Sequence, residues 1–248
     1  MPTKNLTGKV ALVTGASKGI GQAVAKRLAQ DGAAAVVNYW ASSDGAEATV
    51  ADIEKAGGRA IAVKADVSQV REIERLFDAT LSRFGKLDIL VNNAGFAFHK
   101  PIVETTEQDF DGIFAVNVKG TYFACQQAAK HMTDGGRIIN LSSSTTGMLL
   151  PDFSAYIATK GAVEQITRSL AREFGARRIT VNAVSPGPTD TDLFSRGMSD
   201  QEKQRIGQMA ALGRLGLPQD IADVVALLAS DDAHWITGQN IRANGGII

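Results

Sequence analysis

The amino-acid sequence predicts an α/β fold: a Rossmann-type, doubly wound parallel sheet of about seven strands with helices on both faces. Three observations carry this. Short apolar runs alternate with longer helical stretches, several runs are apolar at every position, and a glycine-rich turn joins the first run to the first helical stretch. Runs without apolar/polar alternation fit strands covered on both sides, as in a parallel sheet. In chain order, the run Val10–Val13 leads through the glycine turn into a helix over Gly19–Gln30. The β-branched run 33–38 is followed by a helix over 45–56. The run 60–64 is followed by a strongly periodic helix over Val70–Phe84. Strand 89–92 precedes the long helical stretch 108–131, and strand 137–142 precedes the helix 153–174. Strand 180–185, a helix over 220–229 and the strand Asn240–Ala243 complete the alternation. Right-handed crossovers then put ligands at the carboxyl ends of the strands.

No Pro/Ser/Gly-rich linker or low-complexity tract divides the chain, so 1–248 reads as one nucleotide-binding domain. Only the stretch from Pro186 is irregular, with Gly187, Pro188, Gly197, Gly207, Gly213 and Gly216 around a helix expected at 199–211. A long insertion after a late strand, at the ligand edge, makes 187–217 the expected substrate lid.

Composition removes several function classes. Lys+Arg and Asp+Glu are both 26, which gives no electrostatic case for nucleic acid or an anionic membrane. Cys125 is the one cysteine, set in an apolar helical run, and it reads as a buried small residue rather than a reactive thiol. His99, His131 and His234 are scattered without metal-ligand spacing, so no metal site is expected. The first residues are polar and no apolar run approaches about 18 residues, which predicts a cytoplasmic chain with no membrane span.

The glycine turn is Thr14-Gly15-Ala16-Ser17-Lys18-Gly19-Ile20-Gly21. Glycines allow a tight turn and close approach to a pyrophosphate, while the helix start offers unpaired N–H groups and a partial positive charge. About 20 residues on, an acid would accept from a ribose 2′-hydroxyl and repel a 2′-phosphate. Here that segment reads Asn38-Tyr39-Trp40-Ala41-Ser42, with no acid. Lys18 supplies positive charge and Ser42 a hydroxyl donor, so NADP(H) is expected in preference to NAD(H).

Tyr156 and Lys160 stand at i and i+4, on one helix face. A phenol with a pKa near 10 is a poor base at neutral pH. A cation about 4 Å away matters little in water but is worth about 4 kcal/mol at an effective dielectric of 20. The pair therefore becomes a catalyst only in a partly dehydrated cleft. The preceding strand ends in Ser142-Ser143-Ser144, at the sheet edge where ligands bind, and any of these hydroxyls could hold a substrate oxygen. No histidine is positioned by the sequence to activate a serine as a nucleophile, which argues against a hydrolase.

Taken together, these residues resemble the classical short-chain dehydrogenase/reductase family, close to its 3-ketoacyl-carrier-protein reductase and carbonyl reductase branches. The likeness runs along the chain: Thr14–Gly21, Asp66 after the third strand, Asn92-Asn93-Ala94-Gly95, Asn117 in Asn117-Val118-Lys119-Gly120, the Ser143/Tyr156/Lys160 spacing, Pro186-Gly187-Pro188-Thr189, and Gly238-Gln239 with Asn244-Gly245-Gly246. The resemblance implies Asn117, Ser143, Tyr156 and Lys160 as catalytic residues. Tyr156 is the implied proton donor and acceptor, and Lys160 would bind the nicotinamide ribose and lower the tyrosine pKa. Ser143 would orient the carbonyl, the thirteen-residue spacing selecting it over its neighbours, and Asn117 would support a water relay. The implied cofactor contacts are Gly15, Ser17, Lys18, Gly19, Ile20, Gly21, Asn38, Ser42, Asp66, Val67, Asn93, Ala94, Gly95, Tyr156, Lys160, Pro186, Gly187 and Thr189. One departure is that many NADP(H)-using members carry an arginine where Trp40 and Ala41 stand here.

The expected reaction is NADPH-dependent reduction of an aldehyde, ketone or ketoester, in either direction. The alternatives are 3-oxoacyl-carrier-protein reduction, sugar or alcohol dehydrogenation, and a nucleotide-sensing scaffold without catalysis. The expected pocket walls, 95–100, 144–153 and the lid, offer Phe96, Phe98, Met148, Leu149, Leu150, Phe153, Leu193, Phe194 and Met198, which suits an apolar or aromatic carbonyl. Arg168 and Arg172 could receive an acyl carrier protein, although 130–136 is not strongly basic. The family resemblance implies a homotetramer, with 108–131 and 153–174 at one interface and the C-terminal segment at another.

Overall fold

The structure, a computed structural model, describes residues 6–195 and 198–248. Seven strands form one sheet: β1 (Val10–Val13), β2 (Ala34–Tyr39), β3 (Arg59–Lys64), β4 (Leu87–Asn92), β5 (Met132–Leu141), β6 (Thr180–Pro186) and β7 (Asn240–Ala243). Their order is β3-β2-β1-β4-β5-β6-β7 and every pairing is parallel. The chain works outward from β1 to β3, then crosses back to β4, so the order reverses between β1 and β4. That is the crevice where doubly wound sheets bind ligands.

The helices are α1 (Gly19–Gln30), α2 (Ser43–Lys55), α3 (Val70–Phe84), α4 (Glu107–Phe114), α5 (Thr121–His131), α6 (Thr145–Met148), α7 (Ser154–Glu173), α8 (Asp192–Ser195), α9 (Asp200–Gly207) and α10 (Pro218–Ala229). Strand side chains alternate between two cores. Ala11 and Val13 of β1 join Val24 and Leu28 of α1, Ile53 of α2 and Val225 of α10 on one face. Leu12 joins Ile73 and Phe77 of α3, Cys125 of α5 and Phe174 at the end of α7 on the other. Both faces of the strand are thus apolar because both are covered.

Several elements differ from the sequence expectation. The stretch 108–131 is two α-helices joined by a π-helical turn, Ala115–Gly120, that carries Asn117. Strand β5 begins at Met132, which pairs with Leu87, and the register shifts before Arg137 pairs with Ile89. Gly135, at φ +77°, supplies the left-handed conformation in this irregular stretch. The short helix α6, just after the three serines, has too few residues for a periodic signal.

The segment after β6 closes on itself at its base. Thr189 bridges Gly216, Gly216 N–H donates to Pro188 O (2.9 Å), and Asp190 N–H donates to Gly216 O (2.8 Å). Beyond this neck the expected helix 199–211 is shorter, α9, and begins with a capping box between Ser199 and Glu202. Gly197, within the stretch expected as a lid, and the Leu193 side chain, expected to line the substrate pocket, lie outside the described residues.

Candidate active site

The β1–α1 turn is held from three sides. Gly15 has φ +63°, and a Cβ there would stand 2.9 Å from Ala94 Cα. A Cβ on Gly21 would meet Gly15 O at 2.5 Å and the Asn93 side chain. Thr14 Oγ1 accepts from the N–H groups of Asn93 and Ala94, both at 3.0 Å. Asn93 Nδ2 donates to Thr14 O (2.9 Å) and Gly15 O (3.0 Å). Asn38 Oδ1 accepts from Gly15 N–H (3.1 Å), while its Nδ2 donates to Ala65 O (3.0 Å). The side chains of Asn38 and Asn93 are therefore committed to bracing this turn. The helix itself starts with no side-chain cap at Lys18 and no acid in its first turn, so its N–H groups remain available to an anion. Ser17 is buried, Lys18 exposed, and Gly19 and Ile20 half-buried. An uncapped helix start beneath a turn with no room for a Cβ at Gly15 or Gly21 fits a dinucleotide pyrophosphate.

The outer end of the crevice has the remaining nucleotide candidates. Ser42 precedes α2 and makes no capping bond. Asp66 Oδ1 accepts from Ser68 N–H (2.9 Å), and Val67 is buried against Gly120, where a Cβ would lie 2.9 Å from Val67 O. Tyr39 pairs in register with Lys64, and Lys64 Nζ sits 5.2 Å from the ring centre of exposed Trp40. The sequence reading finds one cation here, Lys18. Strand pairing brings a second, and its only prior signal is a lysine closing the third apolar run.

At the other end, α7 presents Tyr156 and Lys160 to the strand ends. Of the three serines, two are engaged in bracing. Ser142 Oγ lies 2.8 Å from Glu164 Oε1 and donates to it, and Ser144 Oγ donates to Ser185 O (3.2 Å) and accepts from Asn244 Nδ2 (3.1 Å). Ser143 differs. Its Oγ accepts from Thr145 Oγ1 (2.9 Å) and Thr145 N–H (3.2 Å), which leaves its own hydroxyl hydrogen to be donated toward Tyr156. Structure thus separates three serines that sequence chemistry leaves equivalent. Asn117 is buried on the π-turn, with Oδ1 accepting from Phe96 N–H (3.0 Å) and Nδ2 donating to Phe96 O (2.9 Å) and Thr159 Oγ1 (3.1 Å). A Cβ on Gly95 would lie 3.1 Å from Asn117 Oδ1 and 3.6 Å from Lys160 Nζ, so glycine keeps this floor low. Pro186 and Gly187 are half-buried at the end of β6, and Thr189 Oγ1 donates to Gly187 O (2.9 Å) at the neck.

Burial controls the titration of the pair. It holds Lys160 down at about 8, since the charged ammonium loses water. The Lys160 Nζ donates to Leu141 O (2.7 Å) and lies 5.7 Å from the Tyr156 ring centre. Burial raises the Tyr156 phenol above its ordinary value, and Ser143 pulls it partly back. The ammonium is turned to the Leu141 carbonyl, and desolvation is thus the first cause of the shift on each group.

Two of the expected pocket walls, 95–100 and 144–153, meet on one side of Tyr156. Phe153 lies with its ring centre 6.2 Å from that of Tyr156, and His99 lies 5.0 Å from Phe153, giving a row of three rings. The two loops that carry them are tied by Lys100 N–H donating to Asp152 O (2.9 Å). Leu149 and Asp152 both take left-handed backbone conformations, at φ +53° and +62°, beside this row. Among the described residues there is no group of three or more His, Cys, Asp or Glu side chains placed to hold a metal, and no helix long and apolar enough to cross a membrane.

A family model described as enoyl-(acyl carrier protein) reductase matches residues 15–248. An uncharacterized oxidoreductase of Methylorubrum extorquens is 51% identical over 98% of both chains. A hydroxynaphthalene reductase-like protein of Metarhizium brunneum is 43% identical over 99% of this chain and 97% of its own. The solved structure of an angucycline C-6 ketoreductase with bound NADP superposes with a TM-score of 0.93 at 46% identity, covering 98% of this chain and 96% of that one. These likenesses leave hardly any of the sheet, its helices or the loops at their ends unmatched, and the chain belongs to the short-chain dehydrogenase/reductase family.

Proposed function

We propose that the chain is an NADPH-dependent reductase of an aromatic or polycyclic ketone, working reversibly. One observation carries the reaction class: the hydroxyls of Ser143 and Tyr156 converge, and because the Ser143 oxygen accepts from Thr145, the hydrogen it turns to Tyr156 in the ligand-free chain can pass to a substrate oxygen placed between them. When bound, NADP(H) supplies or accepts the hydride. Tyr156 gives its proton to the carbonyl oxygen as negative charge develops there, and Ser143 donates a second hydrogen bond to the same atom. Lys160 binds the nicotinamide ribose, leaving the Leu141 carbonyl, and its ammonium then favours the phenolate. Asn117 fixes the Phe96 backbone and supports the water relay to Lys160.

Gly15, Ser17, Gly19, Ile20 and Gly21 hold the pyrophosphate, with Asn38, Asn93 and Ala94 behind them. Asp66 and Val67 take the adenine side, and Gly95, Pro186, Gly187 and Thr189 take the nicotinamide side. Lys18 and Ser42 receive the 2′-phosphate, a preference supported by the NADP bound to the similar ketoreductase. The lid is 187–217, hinged at the Thr189/Gly216 neck.

The His99–Phe153–Tyr156 row favours a flat aromatic substrate. The names of the hydroxynaphthalene reductase-like relative and the angucycline ketoreductase point the same way. The carrier-protein alternative has less support: Arg168 and Arg172 are exposed, but Glu173 stands beside them. The test is NADPH oxidation, followed by absorbance, across naphthols, quinones, polycyclic ketones, ketoesters and sugars. Polycyclic ketones should turn over fastest. Tyr156→Phe should lower kcat by roughly 10²- to 10⁴-fold while NADPH still binds. A Tyr156→Phe enzyme that turns over normally would sink the scheme.

A further inference from the structure

Catalysis of the proposed kind needs the Ser143 hydroxyl at a fixed distance from Tyr156, yet the two lie on different elements. Ser143 belongs to the turn after β5, and Tyr156 lies on α7. A carboxylate of α7 ties the turn to the helix from both of its ends. Glu164, half-buried on α7, places a single carboxylate oxygen, Oε1, 2.8 Å from Ser142 Oγ and 2.7 Å from Thr146 Oγ1. Both hydroxyls have a weaker alternative acceptor, Lys160 O at 3.3 Å for Ser142 and Ser143 O at 3.0 Å for Thr146. Each hydroxyl has one hydrogen, and the shorter, charge-assisted bond to the carboxylate takes it. Ser142 and Thr146 bracket Ser143 and Thr145, so the carboxylate grips the serine's turn at both ends. On the helix, Tyr156, Lys160 and Glu164 stand at i, i+4 and i+8, one above another on a single face.

We infer that Glu164 is a positioning residue that clamps the Ser142–Thr146 turn onto the helix bearing the acid/base pair, and so sets the Ser143–Tyr156 distance. The inference rests on the roles given to Ser143 and Tyr156 above. A displacement of about 1 Å in such a site can cost on the order of 10²-fold in rate. The clamp bears on the carbonyl oxygen and not on the nucleotide cradle, which is built from β1, α1 and β4.

The test is steady-state kinetics of the full chain with NADPH and its best ketone, together with NADPH affinity measured by fluorescence. Glu164→Leu removes the acceptor, and Glu164→Gln keeps a carbonyl oxygen in its place. Glu164→Leu should lower kcat about ten- to a hundred-fold with NADPH Kd within about two-fold of wild type, and Glu164→Gln should recover most of kcat. Ser142→Ala with Thr146→Val should reproduce the loss in an otherwise wild-type chain and add little to it in Glu164→Leu, which keeps the idea testable should Glu164→Leu fold poorly. A Glu164→Leu enzyme with wild-type kcat, or one whose loss in kcat is matched by an equal loss in NADPH affinity, would overturn the clamp. Ser143→Ala and Tyr156→Phe serve as separate controls: if either retains full turnover, the catalytic assignment has failed and the clamp falls with it. If both are dead while Glu164→Leu is fully active, only the clamp has failed.

Discussion

Lys160 shows most clearly what burial does to a single side chain. Its pKa is held at about 8 against 10.5 in the unfolded chain, because the folded protein penalises the charged form. Between pH 10.5 and 8 the unfolded chain therefore takes up the proton first, and lowering pH across that window destabilises the folded state. Below pH 8 both states carry the proton and the cost is constant. Replacing Lys160 with methionine removes this linkage. In the ligand-free protein, denaturant unfolding of Lys160→Met against wild type should show the variant gaining stability relative to wild type as pH falls from 10.5 to 8, with a flat difference below. A difference independent of pH through that window would mean the amine is not desolvated. At this scale the sequence discloses the reacting groups and not their setting. Tyr156 and Lys160 are legible from i, i+4 spacing, whereas Ser142, Ser143 and Ser144 are chemically alike in the sequence and only the family spacing singles out Ser143. Their settings depend on Thr145, two residues along the chain from Ser143, and on Glu164 and Asn244, which only folding brings close.

Elements were legible in proportion to their length and periodicity. Val10–Val13, Gly19–Gln30 and Val70–Phe84 match their predicted bounds, since uninterrupted burial or a strong apolar stripe fixes them, and Asn240–Ala243 matches too although none of its residues is buried. The π-turn at Ala115–Gly120 was invisible because one extra residue per turn leaves a helical pattern intact. Its service is local: it puts Asn117 in reach of both Phe96 backbone groups. The glycine turn offers the sharpest test of an element. Alanine at Gly21 would gain about 1 kcal/mol of helix propensity, but its Cβ would lie 2.5 Å from Gly15 O and against the Asn93 amide. Overpacking of that kind costs about 1–3 kcal/mol, and here it would also break the Asn93 bonds to Thr14 and Gly15. Gly21→Ala should therefore melt several degrees below wild type and bind NADPH at least about ten-fold more weakly, since the cradle can no longer close. Calorimetry and a fluorescence titration check both; a variant unchanged in Tm and Kd would show that the turn has room to spare.

Across the whole molecule, large apolar side chains stand exposed on a chain whose net charge is zero. Ile102 and Val103 are 75% and 89% exposed on the turn before α4, and Phe110 of α4 and Tyr122 of α5 are also exposed. Leu227 of α10 is exposed too, as is Trp235, at 91%, in the stretch between α10 and β7. Single exposed apolar residues are ordinary, but concentrations of large ones mark association surfaces. Of the first set, Phe110 and Tyr122 fall within 108–131, which the family resemblance puts at a tetramer interface, with Ile102 and Val103 just before it, while Leu227 and Trp235 stand nearer the C-terminal segment of the other. We therefore expect light scattering at micromolar concentration to give about four times the chain mass of 26.2 kDa. Tryptophan reports on the second surface independently of mass. The chain has two, Trp40 at the nucleotide edge and Trp235. In a Trp40→Phe protein, Trp235 would be quenched readily by acrylamide if the chain stood alone. Assembly through β7 and α10 should instead shield it and shift its emission to the blue, and Trp235→Asp should then lower the scattering mass by about half, as loss of one of two interface types requires. A monomeric mass with a freely quenched Trp235 would refute the tetramer and leave the apolar surface to some other partner.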